Sequence, residues 1–222
     1  MNYVIIVAGG KGMRMGGDIP KQFLPIGGRP VLMRTMERFK AYDETIEIIL
    51  VLPESQQTYW QELCKKYDFH IAHQIANGGE TRFQSSKNGL SLIPNDAVGV
   101  VGFHDGVRPF VAIDTIARCY EAALVRGAAI PVMPVTDSLR LVAADGTSKN
   151  VLRSSYRAIQ TPQVFNIALA QKAFSQDEWE AFTDDASVVE QLGAYIEMVD
   201  GNRENIKLTT PFDLQIAATI LT

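Results

Sequence analysis

Gly9-Gly10-Lys11-Gly12 and the cations Arg14 and Lys21 fall within one short segment, directly after the apolar run Val4-Ile5-Ile6-Val7-Ala8. Glycines let backbone N–H groups approach an anion closely. Arg14 and Lys21 add full positive charge at the same mouth. That combination suits a triphosphate whose charge increases as a bond to phosphorus breaks. The loop is neither of the common phosphate loops. Gly17 is followed by Asp18 instead of the Lys-Ser/Thr of a Walker A loop, and Met15 stands where the dinucleotide fingerprint has its third glycine. A glycine turn alone would be an ordinary strand-to-helix connection. Arg14 and the Pro20-Lys21-Gln22 that follows point instead to phosphate.

A second group of chemistry-bearing residues is His104-Asp105-Gly106-Val107-Arg108-Pro109. Asp105 ends an apolar run, where a buried carboxylate needs a partner. Arg108 either pairs with Asp105 or holds a substrate phosphate. Three histidines without a spaced cluster give no zinc signature. Cys64 and Cys119 each fall in a predicted helix and read as small apolar packing residues.

The elements that must position these groups alternate. Tyr3–Ala8, Ile46–Leu52, His70–Ile75, Gly99–His104 and Ala128–Val135 read as strands. Pro30–Lys40, Ser55–Tyr67, Thr81–Leu92 and Asp114–Arg126 read as helices between them, with Ser55 and Asp114 as N-caps and Gly127 as a C-cap. This pattern predicts an α/β fold: a Rossmann-like, mostly parallel sheet with helices on both faces. Ligands of such sheets bind beyond the carboxyl ends of the strands. The glycine loop follows the first strand and Asp105 the fourth, so both fall on that edge. Helices near Ile167–Phe174, Asp184–Leu192 and Pro211–Leu221, and a strand at Tyr195–Val199, close the chain.

The alternation breaks after Pro134. Ser138–Ala143 alternates, Ala144-Asp145-Gly146-Thr147 makes a turn, and Asn150–Ile159 alternates again, which predicts a β-hairpin. A lone hairpin is barely stable in water. Its apolar residues must therefore rest on the body of the chain or on another subunit.

The 222 residues favour one domain spanning 1–222, and 46% hydrophobic residues supply an ample core. A formal net charge of −4 suggests no nucleic-acid surface. No signal-peptide pattern opens the sequence, and no run reaches the ~18 apolar residues of a membrane span. The expectation is a cytoplasmic protein without nucleic-acid or membrane partners.

Ala8-Gly9-Gly10-x-Gly12-x-Arg14-Met15 with Pro20-Lys21-Gln22 resembles the nucleotidyltransferases that activate small phosphates with a nucleoside triphosphate. Gly78-Gly79-Glu80-Thr81-Arg82, the Asp105 segment, Pro134-Val135-Thr136-Asp137-Ser138, Gln160-Thr161-Pro162-Gln163 and Asn205-Ile206-Lys207 narrow the likeness. In that order they resemble the 2-C-methyl-D-erythritol 4-phosphate cytidylyltransferase family of the non-mevalonate isoprenoid pathway. The resemblance implies attack by a phosphate monoester on the α-phosphorus of CTP, expelling pyrophosphate. Such catalysis is mostly positioning, plus cations aimed at transition-state charge. His104 then reads as a packed strand-end histidine, because an anionic phosphate needs no general base.

The same resemblance implies the roles. Arg14, Lys21 and Lys207 are the catalytic cations. Ala8, Gly9, Gly10, Gly12, Gly78, Gly79, Ser85 and Asp105 bind CTP, and Asp105 also holds Mg2+ or another divalent cation. Arg108, Ser138, Arg153 and Thr161 hold the polyol phosphate. The hairpin, about residues 136–158, is the arm of a homodimer and carries Ser138 and Arg153 into the neighbouring site. Glu80 stands where the family more often has Asp, and Ser138 where it has Thr. Thr183-Asp184-Asp185-Ala186-Ser187 resembles the family's acidic turn, although an N-cap alone explains Thr183 or Asp184. Two other readings stand beside this one. A ribitol 5-phosphate cytidylyltransferase shares the loop, the Asp105–Pro109 pattern and the arm, and Asp105-Gly106-Val107-Arg108-Pro109-Phe110 and Thr210-Pro211-Phe212-Asp213-Leu214 lean that way. A non-catalytic nucleotide-binding protein on the same fold is the other, but it could lose Lys21 without harm.

Overall fold

The computed structural model describes residues 1–9 and 19–221. The first strand, β1 (Asn2–Val7), shows why the centre is a parallel sheet. Val4 and Ile6 face one core, and Tyr3 and Ile5 face another on the opposite side. β4 (Glu47–Leu52) repeats this, with Ile48, Leu50 and Leu52 on the first side and Ile49 and Val51 on the second. A strand buried on both faces needs a continuous apolar run, and these two have one. Each fully buried Leu or Ile contributes about 1.5–3 kcal/mol of transfer free energy.

β1 pairs in parallel with β4 and with β6 (Val100–Asp105), and β4 pairs in parallel with β5 (Gln74–Asn77). Beyond β6 lies β11 (Gln163–Asn166), antiparallel both to β6 and to β7 (Ala128–Pro134). β7 also pairs with β10 (Arg157–Ile159) and, in parallel, with β12 (Glu197–Asp200). Helices α1 (Val31–Tyr42), α2 (Glu54–Lys66) and α4 (Ile113–Arg126) pack on one face; α3 (Arg82–Leu90), α5 (Ile167–Phe174) and α6 (Asp185–Glu190) pack on the other. Short strands β2 (Pro25–Ile26) and β3 (Arg29–Pro30) and the terminal helix α7 (Pro211–Ile220) form a smaller cluster with Val107 and Leu208.

The α/β expectation holds, and several boundaries move. Gly127 does end α4, at a φ of 89° that a side chain would strain. Ser55 and Asp114 are not N-caps. The cap positions are Pro53 and Ala112, so both polar residues lie inside the first turn, where the Asp114 carboxylate complements the helix dipole. The strand expected at His70–Ile75 begins only at Gln74. Before it, His73 bonds the Ile71 carbonyl and accepts from Trp60 Nε1, which fixes an irregular crossing. Cys119 is buried and Cys64 partly so, and burial pushes their thiols up to about 12 and about 11.

The hairpin forms from β8 (Leu139–Val142) and β9 (Ser148–Val151), with Leu139 opposite Val151. The single strand expected over Asn150–Ile159 is broken. A 3-10 turn at Arg153–Ser155 separates β9 from β10, and β10 joins the main sheet on β7. The hairpin is a separate two-stranded sheet, and Leu141, Val142, Leu152 and Tyr156 lie exposed.

Candidate active site

Val7 lies beside Asp105 in the parallel register of β1 and β6, so Gly9 and the carboxylate emerge at one edge of the sheet. The Ala8 N–H donates to Val51 O at 3.0 Å and the Gly78 N–H to Leu52 O at 2.8 Å. These bonds draw the ends of β1, β4 and β5 together there. Gln22 Nε2 donates to Ala8 O at 2.8 Å and to Gln56 Oε1 at 2.6 Å, which fixes the chain directly after Lys21.

A cleft of about 1200 Å3 opens at this edge. Ala8, Gly9 and Lys21 line one side, Gly78, Gly79 and Ser85 another, and Asp105 and Lys207 its far wall. The structure thus gathers every expected nucleotide residue that is described; Gly10, Gly12 and Arg14 lie outside the described residues. The Gly79 N–H donates to Ser85 Oγ at 3.0 Å, and Ser85 Oγ donates to Thr81 O at 2.8 Å. A Cβ on Gly79 would fall 2.3 Å from Gln84 Cβ, so a side chain here would displace the first turn of α3.

Asp105 is the hub. Its Oδ1 accepts from Arg82 Nη1 at 2.8 Å, and its Oδ2 accepts from Arg108 Nε at 3.0 Å and Lys207 Nζ at 3.2 Å. Burial by itself would raise the carboxyl pKa, but Arg82, Lys207 and Arg108 together hold it well below the usual carboxylate range. Arg108 also donates from Nη1 to Asn205 O at 2.7 Å, so pairing with Asp105 is the alternative the structure adopts for it.

A chain of bonds runs behind the hub. The Asp105 N–H donates to Thr161 Oγ1 at 3.2 Å, Thr161 Oγ1 lies 3.0 Å from His104 Nδ1, and His104 Nε2 lies 3.1 Å from Arg108 O. Burial lowers the His104 pKa to about 4, so the ring is neutral at pH 7. With its proton on Nε2, each link has one donor and one acceptor. His104 is therefore a packed structural histidine, as its position at the strand end suggested. Asn205 Nδ2 adds a bond to Thr161 O at 2.8 Å.

Thr161, Arg108, Asp184 and Ile159 line a second cleft of about 280 Å3, which shares Arg82, Asp105 and Lys207 with the first. Ser138 and Arg153 line neither cleft. Both are exposed, and the Arg153 guanidinium donates to Thr136 O at the base of the hairpin. Two side chains that sequence reasoning left without a role are Arg82 and Asp185. Both belong to segments that sequence reasoning did single out, one at the first position of α3 and one at the first position of α6.

Among the described residues no three His, Cys, Asp or Glu side chains gather into a metal cage. Asp105 already accepts from three cations, and each carboxylate oxygen has two lone pairs. A divalent ion would meet at most one lone pair, on Oδ1. Among the described residues the protein donors alone make no metal cage, and Asp105 offers one lone pair that substrate phosphate oxygens would have to complement.

The family model for 2-C-methyl-D-erythritol 4-phosphate cytidylyltransferase (IspD) matches residues 2–222. The protein of that name from Phocaeicola vulgatus is 58% identical over 219 residues, 99% of each chain. Its namesake from Porphyromonas gingivalis is 49% identical over 221 residues, 99% of this chain and 97% of the other. Among solved structures, the 4-diphosphocytidyl-2C-methyl-D-erythritol synthase of Anaerococcus prevotii superposes with a TM-score of 0.85 at 27% identity, over 99% of this chain and 95% of that one.

Proposed function

The chain belongs to the 2-C-methyl-D-erythritol 4-phosphate cytidylyltransferase family, and on that premise we propose how its residues divide the work. It transfers the cytidylyl group of CTP to 2-C-methyl-D-erythritol 4-phosphate and releases pyrophosphate, in isoprenoid synthesis. The observation that carries the assignment of roles is the Asp105 hub, which stands in the wall common to the two clefts. The large cleft takes CTP, and the small one takes the phosphate of the acceptor.

The N–H groups of Gly78 and Gly79 are engaged by Leu52 O and Ser85 Oγ. These glycines therefore offer a base their carbonyl oxygens, which are acceptors suited to the exocyclic amino group of cytosine. Lys21 lies in the CTP cleft and Lys207 at the junction. They neutralise the five oxygens around phosphorus as the acceptor oxygen approaches and pyrophosphate departs. Arg108 and Thr161 frame the acceptor's phosphate. Arg14, by the family resemblance, serves the triphosphate with Lys21. Asp105, through the lone pair left on Oδ1, would share magnesium with the phosphate oxygens of CTP, and the ion would offset triphosphate charge.

The arm completes this arrangement as a dimer. Ser138 and Arg153 share no cleft with Asp105, while the hairpin holds an exposed apolar set beside them. Burying that set on a second copy would bring both residues towards the partner's acceptor cleft. Among the described residues no helix is long and apolar enough to cross a membrane. Substrates as highly charged as CTP are held inside the cell, which favours a cytoplasmic enzyme.

The segments that lean towards ribitol 5-phosphate do not outweigh a family match along the whole chain. Pyrophosphate release, measured with CTP, magnesium and either 2-C-methyl-D-erythritol 4-phosphate or ribitol 5-phosphate, tests the assignment. Turnover with the first and not the second is expected. The reverse would transfer the enzyme to the other substrate, and release with neither would favour a nucleotide-binding role.

A further inference from the structure

Arg82 is held from two sides. Its Nη1 reaches Asp105 at 2.8 Å, and its Nε reaches Asp185 Oδ2 at 3.2 Å, with Nη2 bonded to the same oxygen. The Asp185 side chain is 1% exposed and lines neither cleft, whereas the Arg82 side chain is 28% exposed and lines both. Ser86 Oγ donates to the other oxygen, Asp185 Oδ1, at 2.6 Å. Both Asp185 oxygens are thus engaged: one by Arg82, the other by Ser86. Burial would lower the Arg82 pKa, but Asp185 and Asp105 outweigh it and hold the guanidinium charged.

We propose that Asp185 is a positioning residue for the transfer reaction, fixing Arg82 at the junction of the two clefts so that its guanidinium braces Asp105 instead of turning towards the phosphates. The charge count supports this. Within the hub itself, Asp105 and Asp185 carry two negative charges against three positive charges on Arg82, Arg108 and Lys207, which leaves these five bonded side chains with a single net positive charge. An arginine freed from Asp185 has a long side chain and two phosphates within its cleft. It would seize one of them in the ground state and loosen Asp105. Such a change lowers kcat without weakening substrate binding, the pattern of a lost transition-state alignment. Ser86 sets the carboxylate's own orientation and acts one step further back.

The inference rests on the cytidylyltransferase reading, and its test separates the two. Asp185→Asn is nearly isosteric: the amide oxygen can still accept from Arg82, and the amide nitrogen can donate to Ser86. Steady-state kinetics with CTP and 2-C-methyl-D-erythritol 4-phosphate should show kcat reduced ~10- to ~100-fold, the scale of a small misplacement near the reacting atoms, with KM for either substrate unchanged or lower. In an Arg82→Ala background the same substitution should change kcat less than ~2-fold, because residues acting as one unit are not additive. Independently of activity, 15N NMR should show a slowly exchanging Nε–H signal that Arg82→Lys removes and Asp185→Asn weakens. Ser86→Ala should reduce kcat by a smaller factor, and it serves as the second variant if Asp185→Asn melts early. Wild-type kcat in Asp185→Asn, or an equal loss with and without Arg82, would overturn the proposal. So would an unaltered Nε–H signal. An inactive wild type that keeps the protected Nε–H would overturn the cytidylyltransferase reading and leave the Asp185–Arg82 brace intact.

Discussion

Lys207 Nζ lies 3.2 Å from Asp105 Oδ2, and the contact joins a late loop to the end of a central strand. The Lys207 side chain is 43% exposed while that of Asp105 is 7% exposed, so the pair presents its cation to the clefts and keeps its anion behind. The carboxylate is the counter-charge that lets three cations stand close together without repelling one another apart.

Removing that counter-charge should be costly. Asp105→Asn keeps the shape but leaves Arg82, Arg108 and Lys207 without their shared anion. Turnover should fall by more than ~100-fold, as when a transition-state group is lost, while circular dichroism remains that of the folded protein. A magnesium titration separates the roles of the carboxylate. If Asp105 shares the ion with CTP, the apparent magnesium affinity of the variant measured at saturating CTP should be weaker than that of the wild type. An unchanged magnesium affinity would instead leave Asp105 as the counter-charge alone.

Lys21 follows the glycine segment and lines the CTP cleft. Its charge should matter more as negative charge builds on the phosphate oxygens than in the resting complex. Lys21→Ala should therefore lower kcat by ~100-fold or more, with CTP affinity, measured by calorimetry, weakened much less. A variant with near-normal kcat and poor CTP binding would assign Lys21 to ground-state binding only.

How much of this was legible in the sequence depended on range. The central strands declared themselves because burial on both faces demands unbroken apolar runs such as Val4-Ile5-Ile6-Val7. β11 did not. It has four residues, Gln163 at its start is buried for its hydrogen bonds to Asp184 and Ala186, and only Val164 and Phe165 look like strand. Lys21 stood out because phosphate chemistry constrains residue type and local spacing together, Asp105 because a carboxylate ending an apolar strand needs a partner, and Gly79 only through the family resemblance. Arg82 and Asp185 were not given roles because their meaning lies in partners 23 and 103 positions away from Arg82. Nothing local distinguishes Asp185 from a helix-capping residue.

Stability should fall in acid in two stages. His104 is held at about 4 when folded, against an ordinary 6.5. The unfolded chain therefore binds a proton first as pH drops below 6.5, and the native state loses about 3 kcal/mol by the time pH reaches 4. His73, also lowered by burial, adds a smaller loss of the same sign. Below about 4 the unfolded carboxyl that becomes Asp105 starts to protonate while the folded one does not, which extends the decline. Urea unfolding at fixed pH steps should show this slope, and His104→Gln should flatten it between pH 4 and 6.5 by close to one proton. An undiminished slope in that variant would mean that another group carries the titration.

The arm makes the most exposed prediction. Among the described residues β8 and β9 pair only with each other, and Leu141, Val142, Leu152 and Tyr156 around them face water in the single chain. A two-stranded ribbon is marginal alone, and a twin subunit offering the same patch would cover both sets at once. Arg153 would then serve the partner's site and Lys21 its own. Arg153→Ala and Lys21→Ala proteins should each be inactive alone. Mixed and allowed to exchange, they should form dimers in which one site has both residues intact and the other has neither. Random exchange makes half the dimers mixed, each with one good site of two, so activity should recover to about a quarter of wild type. Sedimentation and a tag on one variant would confirm that exchange took place. Confirmed exchange with no recovered turnover would mean that Arg153 acts within its own chain or at no site.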